Sequence, residues 1–480
     1  MDIKQLNVFE NRCFVNGEWL SSADKIVVTN PLDQSVITEV PALSDDVIEQ
    51  AIVDADIAQK QWRNVAPNER SRLLRNWFDL LVEHQDELAM IMTVEQGKPL
   101  REAKGEIIYA ASYIEWFSEE AKRGYGDIIP ASTNTEILVF KEAIGVCAAI
   151  TPWNFPAAMI TRKVAPALAA GCSILVKPAS ETPLTALAIA KLAEKAGFPK
   201  GIFNVVTGSS TKIGQLFTSH PLVRKVSFTG STEIGAKLMA QSAPTVKKLS
   251  LELGGNAPVL VFNSANLEQA VQGVIDTKFR NAGQTCVCAN RIYVQSEIYD
   301  SFVEKLKAKI MQLKVGNGLD ENVDIGPLIN RKAVQKVEEH IADALSKGAT
   351  LITGTTKNTE GNWCAPTLVK DATQEMQCAK EETFGPFAPI FRFETEQQAI
   401  EMANDTEFGL ASYVFTQDIN QFLRVSRNLE YGMVGVNTGL ISNAAAPFGG
   451  VKSSGIGREG SKYGMDEYLE IKYVCLGNIK

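Results

Sequence analysis

One cysteine of this chain stands in surroundings that suit a catalytic nucleophile. Cys286 lies in the segment FRNAGQTCVCANR, after a glycine and among amide and hydroxyl side chains. A thiolate that attacks carbonyl carbons needs a partly exposed, polar environment. By contrast, Cys147 and Cys475 sit in the apolar runs GVCAAI and KYVCL, which are typical of a protein core. A single cysteine in a polar loop is more often inert, so the prediction depends on the groups around it.

The general base for such a thiol is predicted to be a carboxylate. The chain has three histidines. His84 and His340 fall in amphipathic or charged helical segments and His220 precedes a proline, so all three are expected at the surface. Glu252, in LELGGNAP, ends an apolar strand, where a carboxylate is costly unless it is solvated, paired or functional. Partial burial raises the pKa of a glutamate toward neutrality, where it acts best as a base; a purely structural glutamate is the alternative.

Three further loops follow predicted strands and carry polar groups. Asn154, in ITPWNFP, offers an amide that would either stabilise an oxyanion or cap the following helix. Lys177 and Ser180, in VKPASETP, would bind hydroxyls or phosphates, or simply belong to a connecting loop. FTGSTEIG opens a helix with Gly230 and Ser231, whose free N–H groups suit a pyrophosphate. That segment matches neither of the common glycine-rich nucleotide-binding patterns.

A parallel sheet is needed to bring these loops together. Apolar strand-like runs alternate with helical stretches between residues 136 and 253, and again between 258 and 437. This alternation predicts an α/β fold with βαβ units and buried parallel sheets. Ligands of such sheets bind at the carboxyl ends of the strands. We therefore expect one crevice to be formed by the loops that follow Ile150, Val176, Val206, Phe228 and Leu251.

Three local patterns set further expectations. The helical periodicity that begins at Pro67 predicts one helix that stops before Gly97. The helix that precedes the cysteine is expected to end near Asn281. The tail at 468–476 and the segment at 134–141 could form an arm that pairs with another subunit, although an internal edge strand is nearly as good an interpretation.

Composition excludes several classes of function. A length of 480 residues favours two or three domains, and 45% hydrophobic with 22% charged residues is typical of a soluble globular protein. A net charge of −8 without a long basic run argues against nucleic-acid and membrane partners. No apolar run is long enough to span a bilayer, and the first ten residues lack a signal-peptide core. Eight scattered cysteines without a C-x-x-C motif predict reduced thiols in the cytoplasm, with no disulfide framework or metal site.

Taken together, these segments resemble the aldehyde dehydrogenase family across nearly the whole chain. TPWNFP, LELGG and GQTC occur in the family's order with EETFGP and PFGG downstream, while ITRK, GLIS and REGSKYG resemble the succinate-semialdehyde dehydrogenase branch. The resemblance implies a cytoplasmic homotetramer, a dimer of dimers. The domains it implies are a Rossmann-type dinucleotide-binding domain (1–121 and 142–251), an α/β catalytic domain (252–454) and a β-strand oligomerisation arm (122–141 and 464–480).

The same resemblance implies a role for each site residue. Cys286 would be the nucleophile and Glu252 the general base, while Asn154 and the backbone N–H of Cys286 would form the oxyanion hole. No metal would be required. The residues implied to contact the dinucleotide are Trp153, Asn154, Lys177, Ser180, Gly230, Ser231, Leu253, Glu382 and Phe384.

Cofactor preference is implied by the position of Ser180. A glutamate commonly stands there in the family, where it binds the adenosine ribose hydroxyls and repels a 2′-phosphate. Serine removes that repulsion and Lys177 can pair with the phosphate, which predicts NADP, with NAD as a further cofactor. A side chain of Glu181 that turned inward would undercut this prediction.

Substrate preference is implied by two arginines. Arg162 and Arg280, with Ser442 beside them, match the residues that grip a distal carboxylate in this branch, and a guanidinium pair suits that planar group. The branch also suggests a regulatory disulfide between Cys286 and Cys288, for which the loop would have to move because the geometry is strained. A packed neighbour is the alternative interpretation of the second cysteine.

The predicted reaction is the NAD(P)-dependent oxidation of succinate semialdehyde to succinate, as in 4-aminobutyrate breakdown. Glutarate semialdehyde is a close alternative, because one methylene is worth only about 1–3 kcal/mol in a pocket. A cofactor-independent thiol hydrolase with the same cysteine and glutamate is an alternative from another class. A non-catalytic relative is disfavoured, since nucleophile, base and oxyanion residue are all present.

Overall fold

The computed structural model describes residues 2–131, 134–357 and 361–478. Residue 1, residues 132 and 133 and 479 and 480 of the predicted arm, and residues 358–360 of the predicted catalytic domain lie outside them. The strands of the described residues are β1 (Cys13–Val15), β2 (Glu18–Leu20), β3 (Lys25–Thr29), β4 (Val36–Pro41), β5 (Asp127–Ile129), β6 (Thr135–Ala143), β7 (Val146–Ile150), β8 (Ser173–Lys177), β9 (Phe203–Val205), β10 (Val223–Thr229), β11 (Lys248–Glu252), β12 (Ala257–Val261), β13 (Ala289–Gln295), β14 (Thr350–Thr353), β15 (Thr367–Ala372), β16 (Phe387–Phe393), β17 (Ala411–Phe415), β18 (Met433–Val436), β19 (Gly455–Ile456) and β20 (Leu469–Gly477). The α-helices are α1 (Asp45–Trp62), α2 (Pro67–Glu83), α3 (Gln85–Gln96), α4 (Leu100–Glu120), α5 (Ala158–Ala170), α6 (Pro183–Ala196), α7 (Ser210–Ser219), α8 (Thr232–Ser242), α9 (Leu267–Lys278), α10 (Tyr299–Ile310), α11 (Arg331–Ser346), α12 (Gln377–Lys380), α13 (Glu396–Asn404), α14 (Ile419–Asn428) and α15 (Ser461–Asp466).

The first sheet has eight strands in the order β19-β11-β10-β7-β8-β9-β1-β2. Its central strands β11, β10, β7, β8 and β9 are parallel, and antiparallel pairs close both edges. The register places Ile150 opposite both Lys177 and Phe228, and Thr229 opposite Glu252. Four strands therefore end at the same level, and the α/β prediction with a parallel sheet is confirmed.

The second sheet has seven strands in the order β14-β15-β16-β13-β12-β17-β18 and is parallel except for the edge strand β14. The strands β15 and β16 were not among the predicted ones. A charged pair in β15, Lys370 and Asp371, and a proline in β16, Pro389, interrupt the apolar pattern that marks a buried strand. The division into domains stays a prediction, since sheet membership alone does not fix their boundaries.

A third, three-stranded sheet joins the tail of the chain to the segment before the first sheet. The strand β20 pairs antiparallel with β6 over nine residues, and β5 lies on the other side of β6. Apolar side chains of this sheet are open to solvent in the isolated chain: Ile128 is 79% exposed and Ile471 is 72% exposed. The two segments predicted to form an arm do pair with each other.

Local patterns were predicted less accurately than the sheets. The helix expected from Pro67 to Gly97 is two helices, α2 and α3, because the backbone of His84 (φ −99°, ψ 20°) leaves the helical region between them. The surface position expected for His340 is wrong. It lies on the same face of α11 as Val337 and Ile341 and is fully buried. None of the described helices is both long enough and apolar enough to cross a bilayer.

Candidate active site

A cavity of about 210 Å³ opens where the strands of the first sheet end. The loops after β7, β10 and β11 form part of its wall, as expected, whereas the loops after β8 and β9 do not reach it. Its wall includes the three predicted catalytic residues, Cys286, Glu252 and Asn154. It also includes six of the predicted cofactor contacts: Trp153, Gly230, Ser231, Leu253, Glu382 and Phe384.

Glycines allow the segments of this site to approach one another closely. A Cβ atom on Gly255 would lie 2.7 Å from the carbonyl oxygen of Cys286, so a side chain there would push the cysteine loop away. A Cβ atom on Gly449 would lie 2.9 Å from Oε1 of Glu252, which places the PFGG loop against this carboxylate. The pair LELGG and the PFGG segment therefore have a steric role that their spacing did not reveal.

The carboxyl group of Glu252 is strongly affected by its surroundings. The residue is 3% exposed, and neither carboxylate oxygen has a hydrogen-bond partner among the described residues. Burial raises the pKa of Glu252 well above its usual value, and the nearby negative charge of Glu459 adds to this effect. A glutamate whose pKa is raised in this way is a stronger base than an exposed one, which suits a group that takes up a proton during the reaction.

A buried cluster of charges lies next to this glutamate. Nε of Arg162 is 2.5 Å from Oε2 of Glu459, and Nζ of Lys163 contacts Oε1 of the same carboxylate. Lys163 also donates to Oγ1 of Thr229 at 2.7 Å. Burial acts against the ionised form, but the charges of Lys163 and Arg162 outweigh it and lower the pKa of Glu459. The same buried environment therefore lowers the pKa of Glu459 and raises that of Glu252.

Asn154 does not cap the following helix, so the capping interpretation is wrong. The residue before α5 is Ala157, and Oε1 of Glu106 accepts from the backbone N–H of Ala157 at 2.9 Å in place of a cap. Nδ2 of Asn154 donates to the carbonyl oxygen of Gln284 at 3.0 Å. An amide nitrogen carries two hydrogens, and the second is available to an oxygen bound in the cavity.

The thiol of Cys286 borders a second cavity as well. This cavity is small, about 20 Å³, and its wall includes Arg162, Arg280, Ser442 and Phe448. The two predicted substrate arginines and the predicted serine are thus brought together beside the sulfur. Burial raises the pKa of Cys286 to about 12, although the positive charge of Arg162 opposes the shift. The half-buried thiol therefore needs a base before it can attack.

The two arginines differ in how their charge is used. Arg162 forms a salt bridge with Glu459, and its guanidinium lies 3.9 Å from the centre of the Phe448 ring. Its Nη2 has no hydrogen-bond partner within the described part of the chain. Arg280 lies between the small cavity and an outer one of about 630 Å³. Its buried Nε likewise lacks a hydrogen-bond partner among described residues.

Three of the predicted site residues do not border either cavity: Lys177, Ser180 and Cys288. Nζ of Lys177 donates to Oγ of Ser210 at 2.7 Å, and Ser180 is half-exposed at the surface end of the same loop. The side chain of Glu181 is exposed, and its negative charge acts on Lys177. Cys288 is a buried free thiol whose Sγ lies 3.4 Å from Nζ of Lys278.

Sequence reasoning missed the buried charges that support the site. Lys163 and Glu459 lie in ITRK and REGSKYG, which were noted as motifs without a role for these residues. A second buried pair, Lys98 and Glu106, is joined at 2.5 Å, and Nζ of Lys98 donates to the carbonyl oxygen of Asn154 at 2.8 Å. Glu106 in α4 and Lys163 in α5 are charged residues on buried helix faces, which is a signal that could have indicated them, whereas Lys98 and Glu459 lie outside helices and had no such signal.

A parallel-sheet protein that places a cysteine, a buried glutamate and an asparagine amide around one cavity has the parts of an aldehyde-oxidising enzyme. The chain belongs to the Aldehyde dehydrogenase family, whose model matches residues 19–474. This confirms the predicted family.

Individual proteins of this family are similar to the chain over its whole length. The chain is 57% identical over 481 residues to the NADP(+) succinate-semialdehyde dehydrogenase of Escherichia coli (strain K12), covering 99% of this chain and 100% of that one. It is also 57% identical over 483 residues to a glutarate-semialdehyde dehydrogenase of Pseudomonas aeruginosa, covering 100% of both chains. A crystal structure of an aldehyde dehydrogenase from Brucella melitensis biovar abortus 2308 superposes with a TM-score of 0.99 at 57% identity, over 100% of both chains.

Proposed function

We propose that this protein oxidises succinate semialdehyde to succinate with NADP as cofactor. The observation that carries the proposal is the position of Cys286, which borders two cavities of different chemistry. One cavity contains Glu252 and Asn154, and the other contains two arginines that suit a carboxylate. The names of the E. coli and P. aeruginosa relatives support an aldehyde with a distal acid group.

The larger cavity would accept the nicotinamide end of a dinucleotide, because about 210 Å³ is too little for the whole molecule. Gly230 borders the cavity. A Cβ atom on Gly230 would lie 2.4 Å from the ring of Phe228, so a side chain would not fit at this position. Ser231 caps α8, whose remaining N–H groups favour a phosphate. The residues that would hold the cofactor are Trp153, Gly230, Ser231, Leu253, Glu382 and Phe384. When bound, the dinucleotide supplies the acceptor for the hydride that leaves the substrate.

Preference for NADP is proposed from the loop after β8. Ser180 carries no charge that would repel a 2′-phosphate, and the exposed Glu181 is the remaining acidic residue of this loop. Lys177 lies beside it with a pKa that burial lowers, so pairing with a phosphate would favour its charged form. NAD remains a second cofactor in this proposal.

The chain's own residues would then perform the reaction in two stages. Glu252 takes the thiol proton, the sulfur of Cys286 bonds to the aldehyde carbon, and the resulting oxyanion accepts hydrogen bonds from Asn154 and from the N–H of Cys286. Loss of hydride leaves a thioester on Cys286. Glu252 then releases the thiol proton to solvent and takes a proton from water, whose oxygen attacks the thioester; the C–S bond breaks, the product loses its acid proton to leave as a carboxylate, and the Cys286 thiolate is regenerated.

The distal carboxylate would be held in the smaller cavity. Arg280 offers an unpartnered Nε, Arg162 offers Nη2, and Ser442 offers a hydroxyl. Charge-assisted hydrogen bonds of this kind are the strong ones. They would also offset the repulsion between an anionic substrate and a chain with a net charge of −8.

Assembly and location form part of the same proposal. The apolar surface of the arm, including Ile128, Ile471 and Tyr473, would be covered by other subunits in a homotetramer. The proposed division into a dinucleotide-binding domain, a catalytic domain and this arm follows the eight-stranded, seven-stranded and three-stranded sheets. Eight free cysteines favour the reducing cytoplasm. A regulatory disulfide between Cys286 and Cys288 would require Cys288 to leave its contact with Lys278.

An activity panel tests the proposal. Aldehydes of two to six carbons, with and without a terminal carboxylate, are assayed with NADP and with NAD by the absorbance of reduced nicotinamide. We expect the highest kcat/KM for succinate semialdehyde with NADP. Higher kcat/KM for glutarate semialdehyde would favour the alternative that the P. aeruginosa relative suggests. Ester hydrolysis without any aldehyde-dependent absorbance would identify the protein as a thiol hydrolase and refute the proposal.

A further inference from the structure

We infer that Asn281 is a positioning residue that sets the geometry of the oxyanion hole. The inference rests on the proposed function, in which Asn154 and the backbone N–H of Cys286 stabilise the oxyanion. These two donors come from different parts of the chain. Asn154 follows β7 of the first sheet, whereas Cys286 lies between α9 and β13, and β13 belongs to the second sheet.

One side-chain amide ties these two segments together. Nδ2 of Asn281 donates to the carbonyl oxygen of Asn154 at 3.0 Å and to the carbonyl oxygen of Gln284 at 3.2 Å. The second carbonyl is also the one that accepts the Asn154 amide, at 3.0 Å. The amide of Asn281 therefore fixes the backbone of one oxyanion donor and the segment two residues before the other.

The backbone and the side-chain oxygen of Asn281 also have hydrogen-bond partners. Its backbone N–H donates to Oε2 of Glu102 at 2.8 Å, and its Oδ1 accepts from Nε2 of Gln96 at 3.1 Å. Its carbonyl oxygen accepts from Nε2 of Gln284 at 3.1 Å. The residue is 1% exposed, so these bonds form away from solvent, where a lost partner is expensive.

The backbone conformation also selects this residue type. Asn281 has φ 51° and ψ 36°, in the left-handed region, in the short turn that follows α9. Asparagine is several-fold enriched there among residues other than glycine. The turn directs the Nδ2 group of Asn281 at two carbonyls of the site. The left-handed conformation and the hydrogen bonds therefore both favour asparagine at this position.

Two substitutions test the inference. Asn281→Gly keeps the left-handed conformation and removes the amide, while Asn281→Asp keeps the shape and the bond from Gln96 but loses both donors. Asn322→Gly is the matched control, because Asn322 is also left-handed (φ 62°) but is exposed and distant in sequence. Steady-state kinetics are measured with succinate semialdehyde and with butanal, and folding is checked by Tm.

We expect both Asn281 variants to lower kcat on the order of 10- to 100-fold for either aldehyde, because a misplaced donor costs rate even without direct contact. KM should change less than about threefold, and the control should retain full activity. In an Asn154→Ala background, Asn281→Gly should cost less than about threefold more, since residues that act as a unit are not additive.

The outcomes separate this inference from the proposed function. Wild-type protein without aldehyde dehydrogenase activity would refute the function. An active wild type that is impaired by Asn154→Ala but not by Asn281→Gly or Asn281→Asp would refute the inference alone. Equal losses from Asn281→Gly in the wild-type and Asn154→Ala backgrounds would also refute it, because the asparagine would then act independently of the oxyanion hole.

Discussion

Replacing Arg280 with alanine should remove the preference for an aldehyde that carries a carboxylate. Arg280 borders the small cavity beside Cys286, and its Nε is buried without a hydrogen-bond partner among the described residues. Arg162 borders the same cavity but is paired with Glu459. The carboxylate of the substrate would therefore have no equivalent replacement for the lost guanidinium.

The size of the effect follows from the kind of bond that is lost. A hydrogen bond to a charged group contributes about 1.5–3 kcal/mol, and each 1.36 kcal/mol corresponds to a factor of about ten. We therefore expect kcat/KM for succinate semialdehyde to fall about 10- to 150-fold, mainly through KM. Butanal has the same carbon chain without the acid, so its kcat/KM should change less than about threefold.

The assay compares the two aldehydes in wild type, Arg280→Ala and a control. Arg101→Ala is a suitable control, because Arg101 borders the outer cavity together with Arg280 but is 3.0 Å from Asp324 and exposed. Its removal tests whether any nearby positive charge would produce the same effect. Equal losses for the two aldehydes in Arg280→Ala, or an equal loss of preference in Arg101→Ala, would refute the reasoning.

Three further predictions concern the chemistry and the cofactor. Asn154→Ala should lower kcat about 10²- to 10³-fold for charged and uncharged aldehydes alike, because one oxyanion donor is lost; steady-state kinetics would show a selective effect if this is wrong. Since burial raises the pKa of Glu252, its basic form is depleted below that raised pKa, so wild-type kcat should rise as the pH increases through it. Glu252→Gln should lose this rise and slow the first turnover as well as the steady-state rate, because Glu252 takes a proton in both stages; a variant with normal turnover would exclude Glu252 as the base. Ser180→Glu should lower kcat/KM for NADP at least about tenfold and leave that for NAD nearly unchanged, and equal changes would argue against the loop as the specificity element.

The positions of the main site residues could be predicted because they depend on short-range patterns. Apolar strands that end in TPWNFP, FTGSTEIG and LELGG indicate where parallel strands finish, and parallel strands of one sheet finish at the same edge. The burial of Glu252 also followed from its place at the end of a buried strand. These features depend only on periodicity and on the residue that follows each strand.

The supporting contacts could not be predicted because they join distant parts of the chain. Glu459 meets Lys163 across 296 residues, and Nζ of Lys98 meets the backbone of Asn154 across 56. His340 was placed at the surface because its helix is rich in charge, yet it occupies the apolar stripe of α11 and hydrogen-bonds Oγ1 of Thr383 at 2.7 Å. Composition of a segment does not show which of its residues face inward.

The charges around Cys286 explain how an acidic protein could select an anionic substrate. Glu459 forms salt bridges with both Lys163 and Arg162, so its negative charge is balanced within this cluster. Burial raises the pKa of Glu252, which favours its neutral form. Arg280 interacts with the charge of Glu102 but has an unpartnered Nε among the described residues, so it is the arginine at the small cavity that is more available to a ligand.

The size of that cavity argues that Arg280 must also move. About 20 Å³ is room for roughly one water molecule, which is too little for a four-carbon acid. Arg280 separates this space from the outer cavity of about 630 Å³, so a shift of its side chain would join the two. Chain length would then be selected by how far one flexible arginine moves and not by rigid walls. This is consistent with relatives named for succinate semialdehyde and for glutarate semialdehyde that are equally similar to this chain, at 57% identity each.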